Sequence, residues 1–255
     1  MQQLTVAVVG GSIAGCSAAI LLSRAGHDVH VYERSPGGLV GRGGGIGTPL
    51  PVLQGLMDED VVDSDMPHLV ADAMPFIVRT DDAPETGVVP WEMPMQLAAF
   101  HWSALWGQLR RRVPDDRYHR SAVVTDVADD GLGPMTVSFK EGDAVTADLV
   151  VFADGYQSLG RRLLFPDVPL RYRGYQLWRG LLPEEELVGP DLLGSNCPRI
   201  SYPTMPGNFV CYFVPGEDGS TRPGERLVNW AAYIPVPADE LPTFMVDRSG
   251  RTREG

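Results

Sequence analysis

Apolar positions along this chain follow two regimes. Up to about residue 165, short apolar runs are separated by stretches with helical spacing. Beyond it, short strand-like segments sit between Pro-rich turns. The first run, Leu4 to Val9, suits a strand buried on both faces of a parallel sheet. Ile13, Ala14, Ser17, Ala18, Leu21 and Leu22 then mark one helix, which Gly26 stops, and Val29 to Tyr32 predicts a second strand. Between strand and helix stands Gly10-Gly11-Ser12-Ile13-Ala14-Gly15. Small residues there let the backbone approach a pyrophosphate, with the N–H groups that open the helix pointing at it. The second strand ends at Glu33, placed to accept hydrogen bonds from a ribose 2′-hydroxyl. The step from Gly15 to Glu33 matches the expected spacing of about 20 residues.

Strand, turn, helix, stop, strand and acid in that order predict dinucleotide binding. Ser12 stands where a strict NAD fingerprint has its middle glycine, so the fingerprint is a relaxed one. The rival is a GxSxA nucleophile elbow with Ser12 as nucleophile. Such an elbow sits deep in the sheet order with its His last in the triad; here it follows the first strand, and no His follows His119.

Residues 36 to 49, PGGLVGRGGGIGTP, gather glycines around one cation, Arg42. Just downstream of a pyrophosphate turn, the loop is expected to lie against a ligand backbone, with Arg42 meeting a phosphate. Residues 50 to 88 carry little signal beyond scattered short helices. Ser103 reads as the N-cap of a helix through about Arg112, with Leu105, Trp106 and Leu109 on its buried side. Trp91, Trp102, Trp106, Met93 and Met95 crowd this region as core, or as the wall of a ligand cleft. A β-meander is expected from Tyr118 to Val127, Met135 to Lys140 and Val145 to Phe152. Its last stretch returns to the sheet and ends in Ala153-Asp154-Gly155, followed by a helix containing Ser158 to Leu164. Ligands of open α/β sheets sit beyond the carboxyl ends of strands, which aims Asp154 at the same ligand.

From Pro166 onward, strands are expected at Tyr172 to Leu182, Arg199 to Tyr202, Phe209 to Val214 and Leu227 to Ile234. Met205-Pro206-Gly207-Asn208 is read as a hairpin turn. The fold class is therefore α/β: a Rossmann-like domain over 1–165 with a β-meander insertion, a mostly antiparallel second layer over 166–248, and a polar tail at 249–255.

Composition narrows the partners. The charge, 21 − 33 = −12, argues against nucleic acid or an anionic membrane. Arg110-Arg111-Arg112 reads as a solvated helix end before Pro114 rather than a phosphate site. Cys16, Cys197 and Cys211 lack CxxC spacing and suggest reduced thiols in a cytoplasmic setting. His27 and His30 straddle a turn and a strand, so no metal site is expected. The first strand begins at once with no signal peptide, and no apolar run is long enough to span a bilayer.

Four segments carry a family resemblance: VVGGSIAGCSAAILLSRAGHDVHVYER, GRGGGIG, LVVFADGYQSLGRRLLFP and YRGYQLWRGLLPE. Through them the chain resembles the class A flavoprotein aromatic hydroxylases, single-component FAD-dependent monooxygenases. It is most similar to the branch that contains 2,6-dihydroxypyridine 3-monooxygenase. The resemblance implies a glutathione-reductase-like FAD-binding domain in which the 10-to-15 turn (Gly10, Ser12, Ile13, Ala14, Gly15) holds the FAD pyrophosphate. Glu33 would bind the adenosine ribose, Arg34 flank the adenine, Arg42 reach a phosphate or ribityl oxygen, and Val124 offer backbone contacts to the adenine. Asp154-Gly155 would be the family's DG motif, associated with FAD and NAD(P)H. Trp102 stands where many members place an Arg. NAD(P)H would be the reductant, O₂ the oxidant, and a phenol- or hydroxypyridine-like ring the acceptor of one oxygen atom. Trp178 and Arg179 are candidates for shaping the substrate face. As strand neighbours they point oppositely, so at most one faces it. No catalytic base is assigned, and a homodimer is left open. The later GD motif of the family has no match after residue 155, so roughly the last third of a typical member is expected to be absent. A fragment, an unusual member or a non-catalytic nucleotide-binding remnant would each fit that expectation. An NAD-dependent dehydrogenase is disfavoured by Ser12, the DG motif and the lack of a Tyr-Lys or His catalytic pair.

Overall fold

The computed structural model describes residues 2–39, 41–188 and 193–253. In chain order the elements are β1 (Thr5–Val9), α1 (Ile13–Arg24), β2 (Asp28–Tyr32), β3 (Gly45–Pro49), α2 (Leu50–Asp58), β4 (Leu69–Thr80), β5 (Ala83–His101), α3 (Trp102–Arg110) and β6 (Tyr118–His119). There follow β7 (Val124–Ala128), β8 (Met135–Phe139), β9 (Val145–Ala147), β10 (Leu149–Phe152) and α4 (Leu159–Leu164). The chain continues with β11 (Tyr175–Pro183), β12 (Arg199–Tyr202), β13 (Met205–Val214), β14 (Leu227–Pro235) and α5 (Leu241–Phe244).

Two compact units share these elements, and each is discontinuous in sequence. The first combines Met1–Gly43, Gly55–Met66 and Trp102–Pro169; the second combines Gly44–Gln54, Pro67–His101 and Leu170–Gly255. The division at residue 165 expected from the sequence is thus replaced by an interleaved one: the second unit draws strands from both sides of the first unit's last segment.

The first unit is built on a four-stranded parallel sheet of order β10-β1-β2-β6. Its strand β1 is apolar and buried from Val6 to Val9 because both faces are covered there. Ala7 packs against the meander residues Val137 and Ala147, while α1 lies on the opposite face, where Gly15 approaches Val8. β7, β8 and β9 form the expected antiparallel meander. Two strands expected to be continuous are split where the chain changes sheets. It leaves the parallel sheet at His119, passes through Ser121 at φ 55°, and joins the meander at Val124. It returns at Asp148, whose carboxylate accepts from the Thr5 N–H at 2.7 Å and whose own N–H donates to the Thr5 carbonyl at 2.9 Å.

The second unit is a seven-stranded sheet of order β11-β14-β13-β12-β4-β5-β3, with all pairs antiparallel except β12 with β4. Its largest departure from expectation is the β4–β5 hairpin, which fills much of the stretch read as scattered helices. The inward residues of β4 include Ala71, Ala73 and Pro75, too small or too irregular to give a period-two signal. β5 carries Pro84, Pro90 and Pro94, residues that argue against a strand. They are tolerated because β3 covers β5 only from Leu97 to His101, so most of β5 is an edge. Two boundaries also move. α3 starts at Trp102, which places Ser103 inside its first turn. The hairpin turn is Pro203-Thr204, between paired Tyr202 and Met205, and Gly207 lies within β13. A Cβ at Gly207 would fall 2.0 Å from the Tyr233 carbonyl oxygen, so close approach of the neighbouring strand is what requires glycine there.

Candidate functional site

The carboxyl ends of β10, β1 and β2 lie side by side in the parallel sheet, bringing Asp154, Gly10 and Glu33 to one edge. Gly10 donates to the Tyr32 carbonyl at 2.9 Å, and Ala153 donates to the Val9 carbonyl at 2.8 Å. The glycines of the turn are required by packing within the chain. A Cβ on Gly10 would lie 2.5 Å from the Ala153 oxygen, one on Gly11 2.2 Å from the Tyr118 hydroxyl, and one on Gly15 1.8 Å from the Gly10 oxygen. Ser12 occupies the N-cap of α1 but its side chain caps nothing. A helix start leaves its first N–H groups without intrahelical acceptors, so the amides at Ile13 and Ala14 are available to an anion.

Glu33 is 6% exposed. Its Oε2 accepts from the Gly11 N–H and its Oε1 from the Ser35 N–H, both at 2.8 Å. Two of about four lone-pair sites are thereby used, leaving acceptor capacity for a hydroxyl. Asp154 has a similar division of labour. Oδ2 accepts from the Leu159 N–H at 2.6 Å at the start of α4, while Oδ1 is buried with no partner among the described residues. A buried carboxylate oxygen without a donor is costly, and a polyhydroxyl chain is one chemistry that satisfies it. The open amides, the spare Glu33 capacity and this orphaned oxygen all fit a bound dinucleotide.

Other residues expected at the site are placed less tightly. Arg34 is exposed. Arg42, also exposed, reaches the Ser35 hydroxyl at 3.5 Å. Val124 opens β7; the Ala122 N–H, two residues earlier, donates to the Glu33 carbonyl at 3.0 Å. Gly155 follows Asp154 at φ 81° with no neighbour within 4 Å of an added Cβ. Trp102 packs against the glycine loop, its Cβ 2.8 Å from where Gly43 would carry one, and stacks parallel to Trp106 at 6.4 Å.

In the second unit the two strand neighbours do point oppositely. Trp178 meets Phe244, ring centroids 6.4 Å apart. Arg179 donates to the Gly45 carbonyl at 3.1 Å, and the Asn229 Oδ1 accepts from the Gly45 N–H at 2.8 Å.

Two residues bear on the site through contacts that the sequence did not indicate: Tyr118, read there as the start of a strand, and Trp106, read as core or as the wall of a ligand cleft. The Tyr118 hydroxyl and the Trp106 indole N–H both donate to the Gly11 carbonyl, at 2.9 and 3.0 Å, and the Cys16 thiol approaches the same oxygen at 3.3 Å. Burial pushes that thiol up to about 12, which keeps it protonated. Burial likewise raises the Tyr118 phenol well above its ordinary value. A buried Tyr or Trp needs a partner for its polar tip, but the partner's identity depends on contacts 95 and 107 residues apart.

A three-layer βαβ unit with open helix amides, a buried acid after its second strand and an unsatisfied Asp after its returning strand defines a dinucleotide-binding protein of the Rossmann type. Comparison with known proteins narrows this. Residues 8–43 match the family described as "NAD(P)-binding Rossmann-like domain", and residues 172–255 the one described as "FAD binding domain-like". The chain is 32% identical to the 2,6-dihydroxypyridine 3-monooxygenase of Paenarthrobacter nicotinovorans, over 96% of its own length and 59% of that protein. It is 31% identical to the 3-amino-4-hydroxybenzoate 2-monooxygenase of Streptomyces cremeus, over 94% of this chain and again 59% of the relative. The structure of 2,6-dihydroxypyridine-3-hydroxylase from Arthrobacter nicotinovorans superposes with a TM-score of 0.81 at 27% identity, covering 99% of this chain and 62% of that one. The chain is homologous to the FAD-dependent monooxygenases along nearly its whole length and shares their fold. It spans a little under two thirds of the length of these relatives.

Proposed function

We propose that this chain supplies the FAD-binding βαβ edge and the substrate sheet of a monooxygenase that places one oxygen atom of O₂ on an aromatic or N-heteroaromatic ring, with NAD(P)H as reductant. The observation that carries the reading is the convergence of Gly10, Glu33 and Asp154 on one sheet edge, with the Asp154 Oδ1 left without a donor among the described residues. FAD, when bound, supplies the oxygen-activating chemistry. The chain's own residues bind and orient it. The amides of Ser12, Ile13 and Ala14 would hold the pyrophosphate, Glu33 the adenosine ribose, and Asp154 with Gly155 the hydroxyl-bearing chain. Arg42 would add a cation to a phosphate, Arg34 would flank the adenine, and Val124 would offer it backbone contacts. Hydroxylated pyridine and benzoate rings are what the two curated relatives are named for, and a phenol- or hydroxypyridine-like substrate is the corresponding reading for this chain.

No helix among the described residues is long and apolar enough to cross a membrane. The three free thiols, Cys16, Cys197 and Cys211, support a reducing, cytoplasmic setting. The test is to purify the protein from its natural reading frame, record its flavin spectrum, and follow NAD(P)H oxidation with candidate hydroxypyridines. Stoichiometric hydroxylated product is the expected result. Oxidation that yields no hydroxylated product with any of them would remove the monooxygenase reading.

A further inference from the structure

We propose that Tyr118 and Trp106 are positioning residues for the dinucleotide turn: by holding the Gly11 carbonyl inward they aim the Ser12 N–H at the pyrophosphate. This rests on the dinucleotide reading above and adds to it the device that sets the turn before any ligand arrives.

The reasoning begins with covalent geometry. In a trans peptide the carbonyl of one residue and the N–H of the next lie in one plane and point in opposite directions, and no cis peptide occurs among the described residues. Fixing the direction of the Gly11 oxygen therefore fixes the Ser12 N–H on the opposite side. Three donors converge on that oxygen: the Tyr118 hydroxyl at 2.9 Å, the Trp106 indole at 3.0 Å and the Cys16 thiol at 3.3 Å. A carbonyl has two lone pairs, and the phenol and the indole are the two strong donors of the set. The other end of the residue is held as well, by the Gly11 N–H bond to the Glu33 carboxylate.

The clamp is itself anchored. Tyr118 belongs to β6, in register with Val31 of the parallel sheet, and the Arg110 guanidinium lies over its ring at 4.0 Å. Trp106 sits on the buried face of α3 and is 4% exposed. Gly11 is a consequence of the arrangement: any Cβ there would fall 2.2 Å from the Tyr118 oxygen. Flipping the peptide would strand two buried donors and turn the Ser12 N–H inward, so the unclamped turn would have to be ordered by the ligand itself at a cost in affinity.

The experiment uses the full chain and two nucleotides, ADP and adenosine, which differ in the pyrophosphate. Dissociation constants are measured by calorimetry for the wild type, Tyr118→Phe and Trp106→Phe, with urea unfolding alongside. Each variant is expected to bind ADP about 5- to 10-fold more weakly, the effect of one lost hydrogen bond, with adenosine unchanged within about twofold. A role confined to packing would lower stability and weaken both nucleotides alike, or neither, and that outcome overturns the clamp. The Trp106 variant guards against a fold defect in the Tyr118 variant, since both must show the same selective loss. A wild-type chain that binds no ADP overturns the dinucleotide reading together with the clamp. A wild type that binds ADP beside variants that bind it equally well overturns the clamp alone.

Discussion

The chain has two glycine-rich segments near its amino end, and they are glycine-rich for different reasons. In the turn from Gly10 to Gly15, each glycine meets protein atoms closer than any Cβ could tolerate, and the Gly11 peptide is bonded at both its N–H and its carbonyl. In the loop that follows Glu33, Gly37 and Gly41 have nothing within 4 Å of an added Cβ, and the Arg42 side chain reaches the Ser35 hydroxyl at 3.5 Å. The far end of that loop is packed, where Gly43 meets Trp102 in the first unit and Gly45 meets Asn229 in the second. A count of glycines therefore says little about their role. In the turn, glycine is fixed by the chain's own packing; at the tip of the loop, Gly41 is called for by its φ of 75°, while at Gly37 the folded chain alone gives no reason for it, which points to a ligand.

The largest effect that follows is at Gly15. Its Cβ would fall 1.8 Å from a backbone oxygen, which cannot move aside as a side chain can. Gly15→Ala should lose stability at the top of the roughly 1–3 kcal/mol range for overpacking, or beyond it. The urea midpoint reports this, and a variant as stable as the wild type would break the contrast at its strongest point.

Next in size is Glu33→Ala, which leaves the buried N–H groups of Gly11 and Ser35 without an acceptor, at a cost of about 2 kcal/mol. Glu33→Gln keeps one carbonyl acceptor and should recover part of that loss. Two variants as stable as the wild type would show that the carboxylate matters only to a ligand.

How much of this could be read in the residues depended on the distance over which each feature is determined. The β1–α1–β2 unit was readable because strand period, glycine turn, helix stop and acid are all encoded within thirty residues, each by local sterics. So were the meander and the position of Asp154 at the end of an apolar strand. The β4–β5 hairpin was hidden because its alanines and prolines suppress the alternation that marks a strand, and the pairing between Leu69 and Ala99 spans thirty residues of chain. The contact that ties Tyr118 and Trp106 to the turn was hidden for the same reason: Tyr118 read as the start of a meander strand and Trp106 as core or the wall of a ligand cleft, and the acceptor that each satisfies lies about a hundred residues away in the turn.

A smaller effect should separate the two segments by pH. Arg117 can only donate, so the His30 Nε2 must accept from it at 2.6 Å. The His30 Nδ1 then carries the proton donated to the His119 Nε2 at 2.9 Å. Burial, then His30 and Arg117, hold His119 below its ordinary value of 6.5. Its neutral form is thus favoured by folding: the contribution is full above that value and is lost as the pH falls through the lowered one. The His119 carbonyl accepts from the Glu33 N–H at 2.8 Å, so acid should loosen the anchored turn first. Amide exchange at Glu33 and Gly11 should quicken, relative to the intrinsic rate, between pH 7 and pH 5, with little change at Gly37. His119→Gln should flatten that dependence, and an unchanged profile in the variant would assign it elsewhere.

The smallest effect tests the loop itself. Gly37 has open space around it and an ordinary backbone, so Gly37→Ala should stabilise the protein by about 0.4–1 kcal/mol through the unfolded chain. Gly41, equally open, sits at φ 75°, and alanine there should cost about 1 kcal/mol. If the loop tip is glycine for a ligand's sake, the stabilising Gly37→Ala should still weaken ADP or FAD binding, so that stability and affinity move in opposite directions. Thermal unfolding and nucleotide titration of that one variant decide the matter. A gain in both would mean that the tip of the loop lies clear of the nucleotide, and that glycine there is tolerated rather than required.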